Sequence, residues 1–396
     1  MNINNRQLDN DIKKLKIKIC KNCIYDERVP SISFDEKGIC NYCIQVDNLK
    51  NNFGTGTKKG NETLDQIINK IKKHGTNKKY DCVVGVSGGT DSSYLLYLAK
   101  KKWNLRPLAV HYDNTWNSST ATMNIKKVLQ KLDIDLYTHV VNNKESDDIY
   151  RSFFLSGVPE FEAATDLGYA FLLRKVASKF NLKYVLEGHS FLEEGISPLG
   201  VNYFDGKYIK SIHKQFGNLK LKTYPLMTFS TFIYSILFSQ IRFIRPYWYI
   251  DYKKTDAIKF LKKTFDWEYY GGHHLENRAA CFYHTIYLPR KFNVDLRNNT
   301  ISAKVRKGDL SREEGWREYN TPPKIPEDLL NFVLKRLSLN ESEYEKIMKQ
   351  KPKHWTDFPN YKNLFEIYKP LFFVLAKLEF VPMSFYLKYC LPNEKK

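Results

Sequence analysis

The stretch YDCVVGVSGGTDSSYLL, Tyr80 to Leu96, decides the fold. Tyr80 to Val86 is a short apolar run of strand type, and from Asp91 onward Tyr94, Leu95 and Leu98 share one face of a helix. Between them lies a Ser/Gly turn. As a string, Gly85, Ser87 and Gly89 satisfy G-x-S-x-G, the turn that presents a nucleophilic serine in acyl-transfer enzymes. That chemistry draws an oxyanion-hole N–H from an earlier strand loop, and only a cysteine-rich segment and a polar stretch precede Tyr80. A Walker loop needs a Lys before its Ser/Thr, and a dinucleotide loop needs G-x-G-x-x-G; the stretch has neither. What remains is S-G-G-x-D-S-S at the end of a first strand. Two glycines let main-chain N–H groups approach an anion, the helix N-terminus adds its positive dipole end, and Ser87, Ser92 and Ser93 add hydroxyl donors. Asp91 repels phosphate unless a cation stands between them, which points to Mg²⁺. Helix capping is the plain alternative for that residue.

Outward from this turn, strand and helix patterns alternate. RPLAVHYD, DLYTHVV and YVLEGH read as strands; TATMNIKKVLQKL and LGYAFLLRKVASKF read as helices. Such alternation predicts right-handed βαβ units on a parallel sheet, hence an α/β domain. Ligands of such sheets lie outside the carboxyl ends of the strands, so Glu187, His189 and Glu194, which follow YVL, are expected in the same cleft as the turn. The Gly/Asn/Lys-rich stretch after Cys43 reads as a linker or exposed loop.

Four of the seven cysteines form CKNC and CNYC, that is Cys20, Cys23, Cys40 and Cys43, in the pattern C-x2-C-x16-C-x2-C. Two close thiolate pairs on a fold-back segment make a tetrahedral zinc site that replaces a core so short a segment cannot build. An iron–sulfur cluster uses the same ligands. Cys82, Cys281 and Cys390 stand alone and are expected in packing.

A net charge of +20 suits an anionic partner, but the excess is Lys scattered along the whole chain, which favours a solvated surface over a polyanion-binding face. The N-terminus has no secretory pattern, so the expected location is cytoplasmic. Tyr224 to Ile241 carries no charge and is followed by Arg242 and Arg245. It reads as a buried or interface helix, with a membrane-surface helix or a membrane span as the alternatives, so peripheral contact with the inner membrane belongs among the expectations.

SGGTDSS resembles the loop of the N-type ATP pyrophosphatases (the HUP-like, Rossmann-type adenine nucleotide alpha hydrolase fold). That resemblance implies ATP and Mg²⁺ as cofactors, with Val86, Ser87, Gly88, Gly89, Asp91, Ser92, Ser93, His111, Asp113 and Gly188 around the nucleotide. The cysteine segment, RPLAVHYDNTWNS, ATDLGYAFLL, EGHSFLEEGISP, IHKQFG, YYGGHHLENRAACFYHTIYLPRKFNVDLR and SREEGW occur in the order of the N-acetyl sugar amidotransferase family of bacterial surface-glycan biosynthesis. This narrower resemblance, from Cys20 to Trp316, implies an enzyme that adenylates the N-acetyl oxygen of a (nucleotide-)sugar. Ammonia from a separate glutaminase and cyclase-like pair then displaces AMP. It also implies catalytic roles for Asp91, Lys291, Arg297, His274 and Glu276, and substrate contacts from Asp166, His189, Glu194 and His273. The organisation expected is a zinc ribbon and linker over 1–60, the pyrophosphatase domain over 61–215, a helical substrate part over 216–328 and a helical extension over 329–396. The rival expectation is a tRNA-modifying adenylating enzyme of the thiolation or lysidine type, which the absence of a reactive cysteine near the turn disfavours.

Overall fold

The computed structural model of the chain describes residues 17–196, 203–272, 275–378 and 380–392. Of two short antiparallel turns, the one joined at Ile19–Asp26 carries Cys20 and Cys23, and the one joined at Phe34–Cys40 ends on Cys40. Cys40 then opens α1 (Asn41–Phe53), its Sγ accepting from the Cys43 N–H, and Gly54 closes the helix in the left-handed region at φ 60°. Thr57 caps α2 (Lys58–Gly75) in turn. The stretch after Cys43 is therefore two capped helices, not a linker. Its polar residues are the solvent face of α2, whose Leu64, Ile68 and Ile71 recur at helical spacing and are buried.

The α/β core follows as β1 (Cys82–Gly85), α3 (Thr90–Tyr97), β2 (Pro107–Asp113), α4 (Ser119–Leu132), β3 (Leu136–Val140), α5 (Asn143–Ser156), α6 (Ala163–Lys179) and β4 (Tyr184–Leu186). Then come α7 (Gly206–Phe216), α8 (Phe229–Leu237), β5 (Arg242–Ile244) and α9 (Lys254–Phe265). The five strands form one parallel sheet in the order β3-β2-β1-β4-β5. The chain steps outward from β1 through β2 to β3 and then crosses to the other side of β1, so β1 and β4 flank the point where the winding reverses. Cys82, Val83 and Val84 of β1 are fully buried, as a central strand covered on both faces requires.

The remaining helices are α10 (Arg278–Phe282, extended by a wider-pitch turn to Phe292), α11 (Arg297–Lys307), α12 (Arg312–Asn320), α13 (Leu329–Arg336), α14 (Glu341–Lys349), α15 (Lys362–Ile367), α16 (Lys369–Lys377) and α17 (Met383–Phe385). The fold class is thus the expected one: a parallel-sheet α/β core, a four-cysteine unit at the N-terminal end of the described chain and a helical C-terminal part. α5 and β5 are further elements that the sequence reading did not anticipate. α5 is polar in sequence because Glu145 and Asp148 point inward and accept main-chain N–H groups of Lys222, Thr223 and Tyr224, and of Asn218 and Leu219. β5 follows an uncharged run that reads as one helix, but only Phe229–Leu237 is helical; Arg242–Ile244 pairs with β4. Among the described residues, no helix is long and apolar enough to cross a membrane.

Candidate functional site: an anion cradle at the sheet's switch point

The loop from Val86 to Gly89 leaves β1 where the winding reverses, the place where open α/β sheets take ligands. Val86 continues the pairing, its N–H donating to Val110 O at 2.9 Å. The Ser87 N–H donates to Ser92 Oγ and the Gly89 N–H to Ser87 Oγ, both at 3.3 Å. Both hydroxyls therefore shape the loop and orient it. Gly88 is at φ +80°, and a Cβ there would lie 2.2 Å from Ala121 O, so only glycine fits. Its carbonyl is held by the Trp267 indole N–H at 3.1 Å and the Asn124 amide at 3.4 Å. Gly89 is the N-cap of α3 and brings no capping side chain, which leaves first-turn N–H groups for a ligand. Ser93 is buried beneath, its N–H donating to Gly89 O. Gly188 packs so closely on α3 that a Cβ would meet Asp91 C at 3.0 Å.

Asp91 stands in the first turn of α3 with both carboxylate oxygens engaged. Tyr252 O–H donates to Oδ1 at 2.5 Å and the Lys254 ammonium to Oδ2 at 2.6 Å, while Tyr247 O–H donates to the Asp91 carbonyl at 2.7 Å. Tyr247 and Tyr252 stack at 3.8 Å. Burial works to lower the Lys254 pKa, but Asp91 and then Glu194 hold it above the ordinary lysine value. The positive charge that the sequence assigned to Mg²⁺ beside Asp91 is supplied in this arrangement by Lys254.

Glu276 is the other acid at the cradle. The residues around it cross-link to the end of β2: Ser118 N–H donates to Glu276 O and Arg278 N–H to Trp116 O, both at 2.8 Å, and Asn277 bonds to Asn114 and Asn117. This brings Glu276 Oε1 to 3.5 Å from where a Cβ on Gly89 would stand. Glu276 is 9% exposed, and its Oε2 is buried without a hydrogen-bond partner among the described residues. Such an oxygen is costly to bury and fits a cation or a ligand proton. Tyr270 O–H also lies by Gly89, and burial, with Glu276 and Asp91 nearby, raises its pKa far above the usual value.

His111 and Asp113 line a separate depression of about 600 Å³ between β2, β3 and α4. The His111 ring is buried, with Nδ1 3.0 Å from Val86 O and Nε2 3.3 Å from the Asn117 amide, so it braces the cradle from the side. Glu187, His189 and Glu194 share a cleft of about 1930 Å³ with Lys254 and Tyr270. There Arg245 pairs with Glu187 at 3.0 Å, and the Trp248 indole N–H donates to His189 Nδ1 at 3.2 Å. Asp166 lies in the first turn of α6, and the N-cap of that helix is Glu162. Arg297 lines the cleft, but its guanidinium is spent on Asp295, Tyr319 O and Thr321 O. The Lys291 ammonium donates to Ile347 O and Gln350 O at the C-terminal end of α14, where it satisfies helix carbonyls. Both cations are thus held by partners within the helical part of the chain. His273 and His274 lie outside the described residues. Sequence reasoning missed Lys254, Tyr247, Tyr252, Trp267 and Asn124, none of which sits in a motif.

The second site is the cysteine unit. Sγ of Cys20 and Cys43, and of Cys23 and Cys40, are 3.8 Å apart, and Cys40 and Cys43 are 3.5 Å apart. Tetrahedral ligation at about 2.3 Å per sulfur requires such edges. A cubane cluster would hold its sulfurs farther apart, since several irons and sulfides lie between them. N–H groups of Asn22, Tyr25 and Cys40 point at the sulfurs, the pattern of a thiolate site. Two cations offset its charge: Arg306, whose pKa is raised by Cys23, Tyr25 and Cys43 against the effect of burial, and Arg312, which donates to Cys20 O.

Residues 276–371 match the family model described as LPS biosynthesis protein WbpG-like, C-terminal domain. An uncharacterized protein of Methanocaldococcus jannaschii is 24% identical over 326 residues, covering 80% of this chain and 98% of its own. Among solved structures, NMN synthetase from Francisella tularensis covers 74% of this chain and 97% of its own at 13% identity, with a TM-score of 0.34. The U34-tRNA thiolase NcsA of Methanococcus maripaludis, with its 4Fe-4S cluster, covers 77% and 89% at 12% identity, with a TM-score of 0.30. Likeness at that level carries no statement about chemistry.

Proposed function

We propose that the chain is an ATP-dependent, AMP-forming amidotransferase that converts the N-acetyl group of a (nucleotide-)sugar into an acetamidino group in surface-polysaccharide synthesis. The observation that carries this reading is the junction at Glu276, the first residue of the segment that matches the LPS-biosynthesis model. Its buried carboxylate stands against Gly89 of the anion cradle. The pyrophosphate of ATP would bind the N–H groups of the loop and of the α3 N-terminus, with Lys254 close to it. Mg²⁺ would be held from the Glu276 side, where an oxygen has no partner, and would neutralise phosphate charge. The acetyl oxygen attacks the α-phosphorus and pyrophosphate leaves. Ammonia then adds to the imidate carbon, AMP departs with the oxygen, and one proton is released. The cleft beside the cradle, about 1930 Å³, has room for the sugar, and a bound sugar would help to keep water from the imidate. Ammonia would come from a separate glutaminase and cyclase-like pair, and the four cysteines would hold structural zinc.

The test is incubation with ATP, Mg²⁺, ammonium and N-acetylated UDP-sugars. Equal amounts of AMP and pyrophosphate, with the sugar product carrying NH in place of O by mass, are expected. AMP release that depends on tRNA and ignores every sugar would replace this reading with the tRNA-modifying one.

A further inference from the structure

The described residues carry an apolar face that no other described element covers. α8 and α16 pack together through buried rings, with Phe232 against Phe372 at 6.3 Å and Phe229 against the half-exposed Tyr368 at 5.8 Å. Their outer sides point to solvent. Tyr234 is 62% exposed and Phe238 71% on or next to α8, with Leu237 between them. Phe373, Val374 and Leu378 are exposed on or next to α16. Singly exposed apolar residues need no explanation, but six large aromatic and aliphatic side chains exposed on or next to two helices that share buried ring contacts do.

The rim is cationic. Lys369 and Lys377 are exposed on α16, and Lys377 lies over the Phe373 ring at 5.4 Å. Arg242 lies over Phe380 at 5.2 Å, and Lys207 over Tyr361 at 5.9 Å. On described residues of this face the acid is Glu366, and it pairs with Lys362 at 3.4 Å. Glu379 lies outside the described residues. From Tyr224 to Ile241 the chain has no charge at all.

We propose that this face docks the protein on an anionic lipid bilayer, α8 and α16 lying in the plane of the headgroups. Aromatic and aliphatic side chains at headgroup depth, flanked by lysines, are what such a surface binds. A second copy of the chain is a poor occupant, because a two-fold contact through this face would set its cationic rim against itself. The inner sides of the same helices line the large cleft, α8 through Phe229 and Phe232 and α16 through Ala376, so docking would place the cleft close to the membrane.

The test uses the full chain in vesicle flotation. Phosphatidylcholine vesicles are compared with vesicles of equal parts phosphatidylcholine and phosphatidylglycerol. The chain is expected to float with the anionic vesicles and to be released by salt. Lys369→Ser and Lys377→Ser should each lower partitioning about fivefold. The pair Phe238→Ser with Val374→Ser should abolish flotation and leave the melting temperature and ATP binding unchanged, since neither residue touches the cradle. No flotation of the wild type, or flotation that the apolar pair leaves intact, overturns the proposal. So does a wild-type dimer in sedimentation that the same pair turns into monomer while vesicles have no effect.

Discussion

Replacing Lys254 by methionine leaves the Asp91 carboxylate with Tyr252 alone. The Lys254 and Asp91 side chains are 20% and 18% exposed and 2.6 Å apart. At that separation and an effective dielectric constant near 20, the pair attracts by about 6 kcal/mol, and desolvation of both ions takes back part of it. Removing one partner strands the other, so Lys254→Met should cost about 3 kcal/mol in urea unfolding. Asp91→Asn should cost about 2 kcal/mol, because Tyr252 keeps an acceptor. The double variant tests the reasoning. If the pair is one unit, the two losses overlap and the coupling energy is at least about 2 kcal/mol. Losses that add within about 0.5 kcal/mol would refute the pair as a unit. AMP release should fall about 10²-fold in Lys254→Met if the ammonium also meets phosphate charge.

Three further outcomes are expected. Glu276→Gln keeps the bulk of the side chain but removes the charge: melting temperature should hold or rise, while the Mg²⁺ concentration for half-maximal turnover should climb at least about tenfold, and an unchanged Mg²⁺ titration would count against the Glu276 assignment. Cys40→Ser removes a sulfur ligand while leaving a hydroxyl that can still cap α1; one metal ion per chain should be lost by atomic emission, and a cobalt-substituted wild type should show the strong visible bands of four-sulfur tetrahedral ligation. Buried Glu160, which accepts from Tyr208 O–H at 2.9 Å, is pushed up to about 7 by burial. The folded state therefore keeps a proton that the unfolded chain gives up near 4.5, so this group's stabilisation is fully present below that value and is lost as pH rises toward 7. Glu160→Gln should flatten that slope by about 3 kcal/mol in unfolding measured at both pH values; an unchanged slope contradicts the assignment.

Much of the fold was legible because its signals are local. The strands from Cys82 to Leu186 are apolar runs bounded by turn residues, and the loop after β1 is fixed by a glycine that only its φ explains. The cysteine site was legible because metal ligation dictates spacing. β5 was not, since three residues carry no periodicity and their strand state comes from pairing with β4. Lys254 was not, because its role comes from α9 packing directly on α3, and a lysine in a lysine-rich chain carries no mark. Lys291 and Arg297 show the converse: cations inside a resembling block whose donors the fold uses for helix ends and for Asp295.

α1 begins on the cysteine unit and ends in the cleft. Cys40 and Cys43 anchor its first turn, and Gln45, Leu49, Asn52 and Phe53 line the cavity. A helix is stiff along its axis, and thirteen residues span about 20 Å. Tilting its sulfur end therefore swings Phe53 like the far arm of a lever. Substitutions around the sulfurs, at positions that touch no ligand, become a means of reshaping which molecule the cleft admits while the cradle under β1 keeps its form. Specificity can then be varied from one end of a rod while the glycine loop after β1 keeps its own contacts.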